Sequence, residues 1–272
     1  MDSRNLRNST KLSYLASVQA IAKAVKYPSN QRRLILEDIE YYRSAARGEI
    51  PTKHLKLAAR PITLKDVAVA AVEFSGKARQ ANNSNKRHTN LQRSAVLALL
   101  SMMPLRISDV NRLTVGEHVT RDETNWYLNI GSSKTGFRHS GPLHQHLTPY
   151  LDALISRGGE KALWPEYEMR RGTPLFGTLL NEPLSSRTLA AGFKAATGHG
   201  PHIVRTLVHD ALATYGDYGS VMAMVLCGQI GPATAKVYEV HAQRHRIAKA
   251  QDQLAAIQVQ LFPQQKSGRT GP

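Results

Sequence analysis

Apolar positions recur at helical spacing along most of this chain and alternate in one short stretch only. Leu15, Val18, Ala22 and Val25 fall on one helical stripe, which Pro28-Ser29-Asn30 ends. Ile35, Ile39, Tyr42 and Ala46 form a second, closed near Gly48 and Pro51. Two such helices bury too little for a large core, so residues 1–60 read as a short basic helical region, an arm or an abbreviated helical domain. Arg60-Pro61 marks the boundary. Beyond it, Thr63-x-x-Asp66 is a capping-box start for a helix that buries Val67, Ala71, Phe74 and Ala78. Residues 81–90 are polar and basic and read as a solvated loop before a hydrophobic helix from Leu91 to Met103, stopped by Pro104. Ile107, Val110 and Leu113 then point inward from a further helix.

The alternating stretch is Trp126 to Ile130; Gly131 to Gly136 reads as a turn, and Phe137 to Leu143 as a returning strand. Thr148-Pro149 starts a short helix ended by Gly158-Gly159. Residues 159–184 read as loop, anchored by Trp164-Pro165 and Pro174-Leu175-Phe176. Ser185 or Ser186 caps a helix through Ala196, the Pro201-His202-Ile203-Val204-Arg205 stretch opens one running to Tyr215, and Gly219 or Ser220 starts one ending at Cys227-Gly228. A partly amphipathic helix covers Ala242 to Leu261, and Lys266 to Pro272 reads as disordered. The pattern predicts a mainly α fold with a small antiparallel β-hairpin sheet.

Charge changes the picture more than composition does. With 36 Lys and Arg against 20 Asp and Glu, the formal charge is +16, which favours polyanions: nucleic acid first, an anionic membrane surface second. No apolar run reaches the length of a spanning helix, and the amino terminus lacks a signal peptide's hydrophobic core, so a soluble intracellular protein is expected. Cys227 is the single cysteine, which excludes a disulfide framework and a cysteine-rich zinc site. His241 and His245 are four apart and His144 and His146 two apart; without an evident third ligand they read as exposed histidines. Met102-Met103 reads as core filling.

The candidate chemistry lies near the carboxy-terminal end. His202 and Arg205 are three apart, so on a helix they share a face and reach one small target. A guanidinium matches phosphate oxygens bidentately and keeps its charge. Tyr238 follows a Gly-Pro break, where a phenol can be presented to that phosphate. Upstream, Leu105-Arg106-Ile107-Ser108-Asp109 sets an arginine at a helix start with an aspartate one turn on, and Lys134-Thr135-Gly136 lies in the hairpin turn.

In that order, an arginine box, a hairpin lysine, His-x-x-Arg and a late tyrosine resemble the tyrosine recombinases, the phage-integrase family, over roughly residues 61–250. The resemblance implies a tyrosine-recombinase-like catalytic domain (α+β) over 61–250, with residues 1–60 an abbreviated core-binding domain and 251–272 a helix and tail. It implies catalytic roles for Arg106, Lys134, His202, Arg205, Gln229 and Tyr238, and no cofactor. The expected partners are double-stranded DNA and other recombinase protomers, in a tetrameric synapse, with no membrane. The expected setting is cytoplasmic and nucleoid-associated, in a bacterium or phage.

Gln229 departs from the pattern, because the family places histidine or tryptophan after Leu-Gly at this point and here Cys227-Gly228-Gln229 stands. Glutamine donates hydrogen bonds but does not titrate. Thr206 also stands where the family often has histidine, and His209 comes a turn later. Tyr215 and Tyr218 are rival nucleophiles that fit an inter-helix loop better. Three functions follow: a recombinase acting through a 3′-phosphotyrosine, a DNA-binding relic that holds sites without cutting, and a type IB topoisomerase-like relaxing enzyme.

Overall fold

The computed structural model describes residues 6–134, 136–159 and 163–229. The chain divides into two compact units, Met1–Ala59 and the part from Arg60 onward.

In the first unit, helices α1 (Asn8–Ala24) and α2 (Ser29–Arg47) pack on each other, and α3 (Thr52–Ala59) follows. The α1 stripe is narrower than its periodicity predicts. Leu15 and Ala22 are buried, but Val18 is 43% and Val25 64% exposed, because the α1–α2 seam covers only part of that face. On α2 Ile39 is buried and Ile35, Tyr42 and Ala46 half-buried, as the spacing predicts. Helix α3 was not expected. It is joined back to the start of α1 by Arg7, which donates to the Thr52 hydroxyl and the Ile50 carbonyl, while Glu49 accepts from the Asn8 amide at 2.8 Å.

The second unit opens on α4 (Leu64–Arg79). The Thr63 hydroxyl accepts from the Asp66 amide at 3.2 Å and the Asp66 carboxylate accepts from the Thr63 amide at 2.7 Å, the reciprocal arrangement of a capping box. Val67, Ala71 and Ala78 are buried, whereas Phe74 is half-buried beneath the cations of Lys77 and Arg93. Of the expected loop at 81–90 only residues 81–83 are non-helical; 84–90 are instead the first two turns of α5 (Ser84–Met102). The Asn83 carbonyl group of its side chain accepts from the amides of Asn85 and Lys86, so the polar run is a capped helix start facing water. Leu97, Leu99 and Leu100 make α5 the central helix, packed against α4, α7 (Thr148–Ile155) and α9 (Ser186–Thr197).

Helix α6 (Ile107–Asn111) leads into an antiparallel sheet of β1 (Val119–Arg121), β2 (Trp126–Gly131) and β3 (Arg138–Pro142), in the order β1-β2-β3. Strand β1 is too short for its alternation to be read from the sequence. The sheet is pinned to α7 through buried Trp126, whose indole donates to Asp152 at 2.7 Å, with Arg121 on the same carboxylate at 3.2 Å. Within the expected loop at 159–184, residues Leu163–Met169 form α8. Phe176 is the anchor the sequence predicts, but Trp164 is 44% exposed. The buried anchor nearby is Arg170, whose guanidinium takes the carbonyls of Leu154, Pro174 and Leu175. Helix α10 (Ile203–Leu212), a 3-10 turn at Ala213–Tyr215 and α11 (Asp217–Leu226) complete the described fold. Among the described residues no helix is long and apolar enough to cross a membrane. The sequence-derived helix at 242–261 and the tail at 266–272 lie outside the described residues.

Candidate active site

Three segments far apart in sequence meet around two arginines. Arg106 sits at the N-cap of α6 with a half-buried side chain. It donates to the hydroxyl of Ser132 in the β2–β3 turn and lies 4.0 Å from the Asp109 carboxylate. Asp109 is 2% exposed and accepts from the Ser133 amide at 3.1 Å, with Arg112 at 3.5 Å. The Ser132 hydroxyl and the Asp109 carboxylate, itself held by the turn backbone, together fix where the Arg106 guanidinium stands. Lys134, the next residue in that turn, is exposed.

Arg205 lies in the first turn of α10 and is 2% exposed. It donates to the Pro104 carbonyl at 3.0 Å and to the Cys227 carbonyl at the end of α11. Burying a guanidinium is costly unless donors are met, and these main-chain carbonyls take two of its five N–H groups without cancelling its charge. His202 stands three residues earlier, exposed, at the N-cap of α10.

The strand composition concealed one member of this cluster. His139 is the buried position of β3, paired with Ile130, and it stacks edge-on to Phe137 at 4.9 Å. Its Nε2 lies against the Gly228 backbone: a Cβ at that glycine would come within 2.9 Å of it. Gly228 also has φ +57°, so the α11 terminus requires glycine on two counts. Burial holds the His139 pKa below its ordinary value; the Arg205 charge adds to this, Asp109 opposes it and Arg106 adds again. The same two arginines act on Cys227, where they oppose the burial that raises the thiol to about 11. The period-2 alternation that faces Phe137, His139 and Gly141 to one side was the signal available for His139.

Gln229 follows directly. It is 5% exposed, its amide donates to the Met224 carbonyl at 2.9 Å, and its side-chain Oε1 is 3.1 Å from Nε2 of buried His209 on α10. The fold thus gathers Arg106, Arg205, His139, His209 and the Cys227–Gln229 turn, with the Lys134 hairpin beside them. Tyr238, together with His241 and His245, lies outside the described residues. Tyr215 and Tyr218 are 64% and 82% exposed. Among the described residues no group of three or more potential ligands gathers for a metal.

No family model matches the sequence, and no curated protein matches it. Solved structures do. The chain is similar to the XerH site-specific recombinase bound to palindromic difH substrate in a post-cleavage complex, at 13% identity and a TM-score of 0.51, over 90% of this chain and 72% of that one. The fold is that of a tyrosine recombinase. XerA recombinase matches at 15% identity over 87% of this chain and 81% of that chain, with a TM-score of 0.47. A lambda integrase(75-356) dimer bound to a COC' core site matches at 18% identity over 81% and 79%, with a TM-score of 0.36. Within this predominantly helical fold the small sheet contributes its β2–β3 turn, which supplies Ser132 and Ser133 to Arg106 and Asp109.

Proposed function

We propose that this protein cuts and rejoins double-stranded DNA as a site-specific recombinase, with Tyr238 as nucleophile and a covalent 3′-phosphotyrosine intermediate. The observation that carries the reading is that Arg205, which holds the Cys227 carbonyl beside Gln229, also donates to the carbonyl of Pro104, two residues before Arg106, so both cations are fixed in one region. Two fixed cations suit the extra negative charge on the non-bridging oxygens of a phosphoryl-transfer transition state. The Tyr238 oxygen forms a bond to phosphorus as the bond to the 5′-oxygen breaks. His202 assists removal of the phenolic proton, and Lys134 delivers a proton to the departing 5′-oxygen. The intermediate retains the bond energy, so the 5′-hydroxyl reverses the step without ATP. No cofactor enters the scheme. The +16 charge and the DNA carried by the XerH complex support duplex DNA as the substrate, with further protomers of this chain assembling on it.

The test is a nicked suicide substrate built from the DNA that flanks the gene. Wild-type protein should become covalently trapped, and Tyr238→Phe should bind the same DNA without trapping. Trapping by Tyr238→Phe but not by Tyr218→Phe would move the nucleophile. Binding with no trapping by wild type would leave a DNA-binding relic, the reading that non-titrating Gln229 favours. Relaxation of any supercoiled plasmid without strand exchange between sites would favour a type IB topoisomerase-like enzyme.

A further inference from the structure

Resting on that reading, we infer that His209 is a positioning residue that sets which end of the Gln229 side chain faces the scissile phosphate. A carboxamide has an acceptor end and a donor end of nearly the same shape, and only the donor end attracts a phosphate. In this structure the acceptor end is taken: Gln229 Oε1 is 3.1 Å from His209 Nε2. An amide oxygen accepts only, so the imidazole carries its proton on Nε2 and donates. That bond locks the carboxamide and turns its Nε2 the other way. The Gln229 Nε2 is buried and has no hydrogen-bond partner among the described residues, on a side chain 5% exposed.

A buried NH2 without an acceptor costs free energy comparable to a lost hydrogen bond, so its retention points to an acceptor that arrives with the substrate. The position fits. Gln229 is two residues from Cys227, whose carbonyl holds Arg205, and next to Gly228, against which His139 packs. An oxygen of the phosphate bound by Arg205 is the acceptor this geometry offers. A glutamine at this place is therefore half of a two-residue device, and the other half sits on α10, one turn beyond Arg205. Without His209 the amide would flip freely and present its oxygen to an anion for part of the time.

The test combines single-turnover cleavage of the nicked substrate with DNA affinity measured separately. His209→Leu fills the space but removes the donor; it should slow cleavage about tenfold or more, the size of effect that follows loss of a group orienting a functional side chain, with affinity changed less than about twofold. His209→Gln places an N–H donor the same number of bonds from the backbone and should restore most of the rate. His209→Asn, one bond shorter, should behave like His209→Leu, and it serves if the leucine variant does not fold. In a Gln229→Ala background, His209→Leu should have little further effect. Wild-type cleavage by both His209→Leu and His209→Asn, or losses that simply multiply in the double variant, would overturn the role of His209 while leaving the recombinase reading intact. Wild-type protein that never becomes trapped would overturn both.

Discussion

Arg205 donates to the carbonyl of Pro104, 101 residues earlier in the chain, at 3.0 Å. Pro104 is separated from Arg106 by Leu105 alone, so one hydrogen bond ties the two candidate phosphate-binding arginines to each other. The second bond, to Cys227, ties both to the turn that carries Gln229. Arg205 is thus a structural tie as well as a proposed phosphate ligand. Removing it leaves two buried carbonyls without that donor.

Arg205→Ala should therefore lower unfolding free energy by about 3 kcal/mol, taking roughly 1–3 kcal/mol for each buried polar group left unsatisfied. Arg106→Ala, from a half-buried site, should cost about 1 kcal/mol. Urea denaturation of the three proteins measures both. Cleavage should suffer in either variant far more than DNA affinity does, since in the proposed mechanism the charges act on the transition state. Equal losses of rate and affinity would reduce both to ordinary phosphate contacts.

DNA binding should weaken steeply with salt. Neutralising about eight phosphates gives a slope of log affinity on log salt of roughly −7. A titration from low to physiological salt that gave a slope near zero would remove the polyanion-tracking surface, and the functional reading with it.

Stability should fall as pH drops below about 6.5, the ordinary histidine value. Burial, chiefly, lowers the folded-state pKa of both His88 and His139. The unfolded chain then binds protons that the folded chain refuses, so stability is full above the unfolded pKa and is lost as pH falls toward the folded one. Glu49, Asp66 and Asp122 are shifted down from carboxylate values, Asp122 to about 2, and act in a separate window below about pH 4.5. Melting curves of wild type and a His88→Asn, His139→Asn double variant between pH 7 and 5 should separate the two. An undiminished slope in the variant would assign the loss elsewhere.

Cys227 should resist thiol reagents at pH 8 in the native protein and react at once after unfolding. It is 1% exposed and its pKa is raised to about 11, so little thiolate exists and none is accessible. Rapid native labelling would mean that the α11 terminus opens readily. Because its carbonyl holds Arg205, that opening would disassemble the site.

Elements whose signal is local were legible in the residues alone. The capping box at Thr63 and Asp66, the α9 cap at Ser185 and the β2–β3 hairpin are set by neighbouring residues, and each stands where its residues predict. Arg106, His202 and Arg205 were legible as candidates because motif spacing is local too. Where one solvated face dominates, periodicity misled: the first turns of α5 and the whole of α8 read as loop, since an exposed helix start looks like any polar run. What those candidates touch is set by the packing of distant segments. No periodicity could pair Arg205 with carbonyls 101 positions before it and 22 after it, place His139 against Gly228, or join His209 to Gln229. Such contacts depend on how α10 packs on α4, α5 and α11, and packing is a sum of small apolar contacts between distant segments that leaves no mark on local sequence.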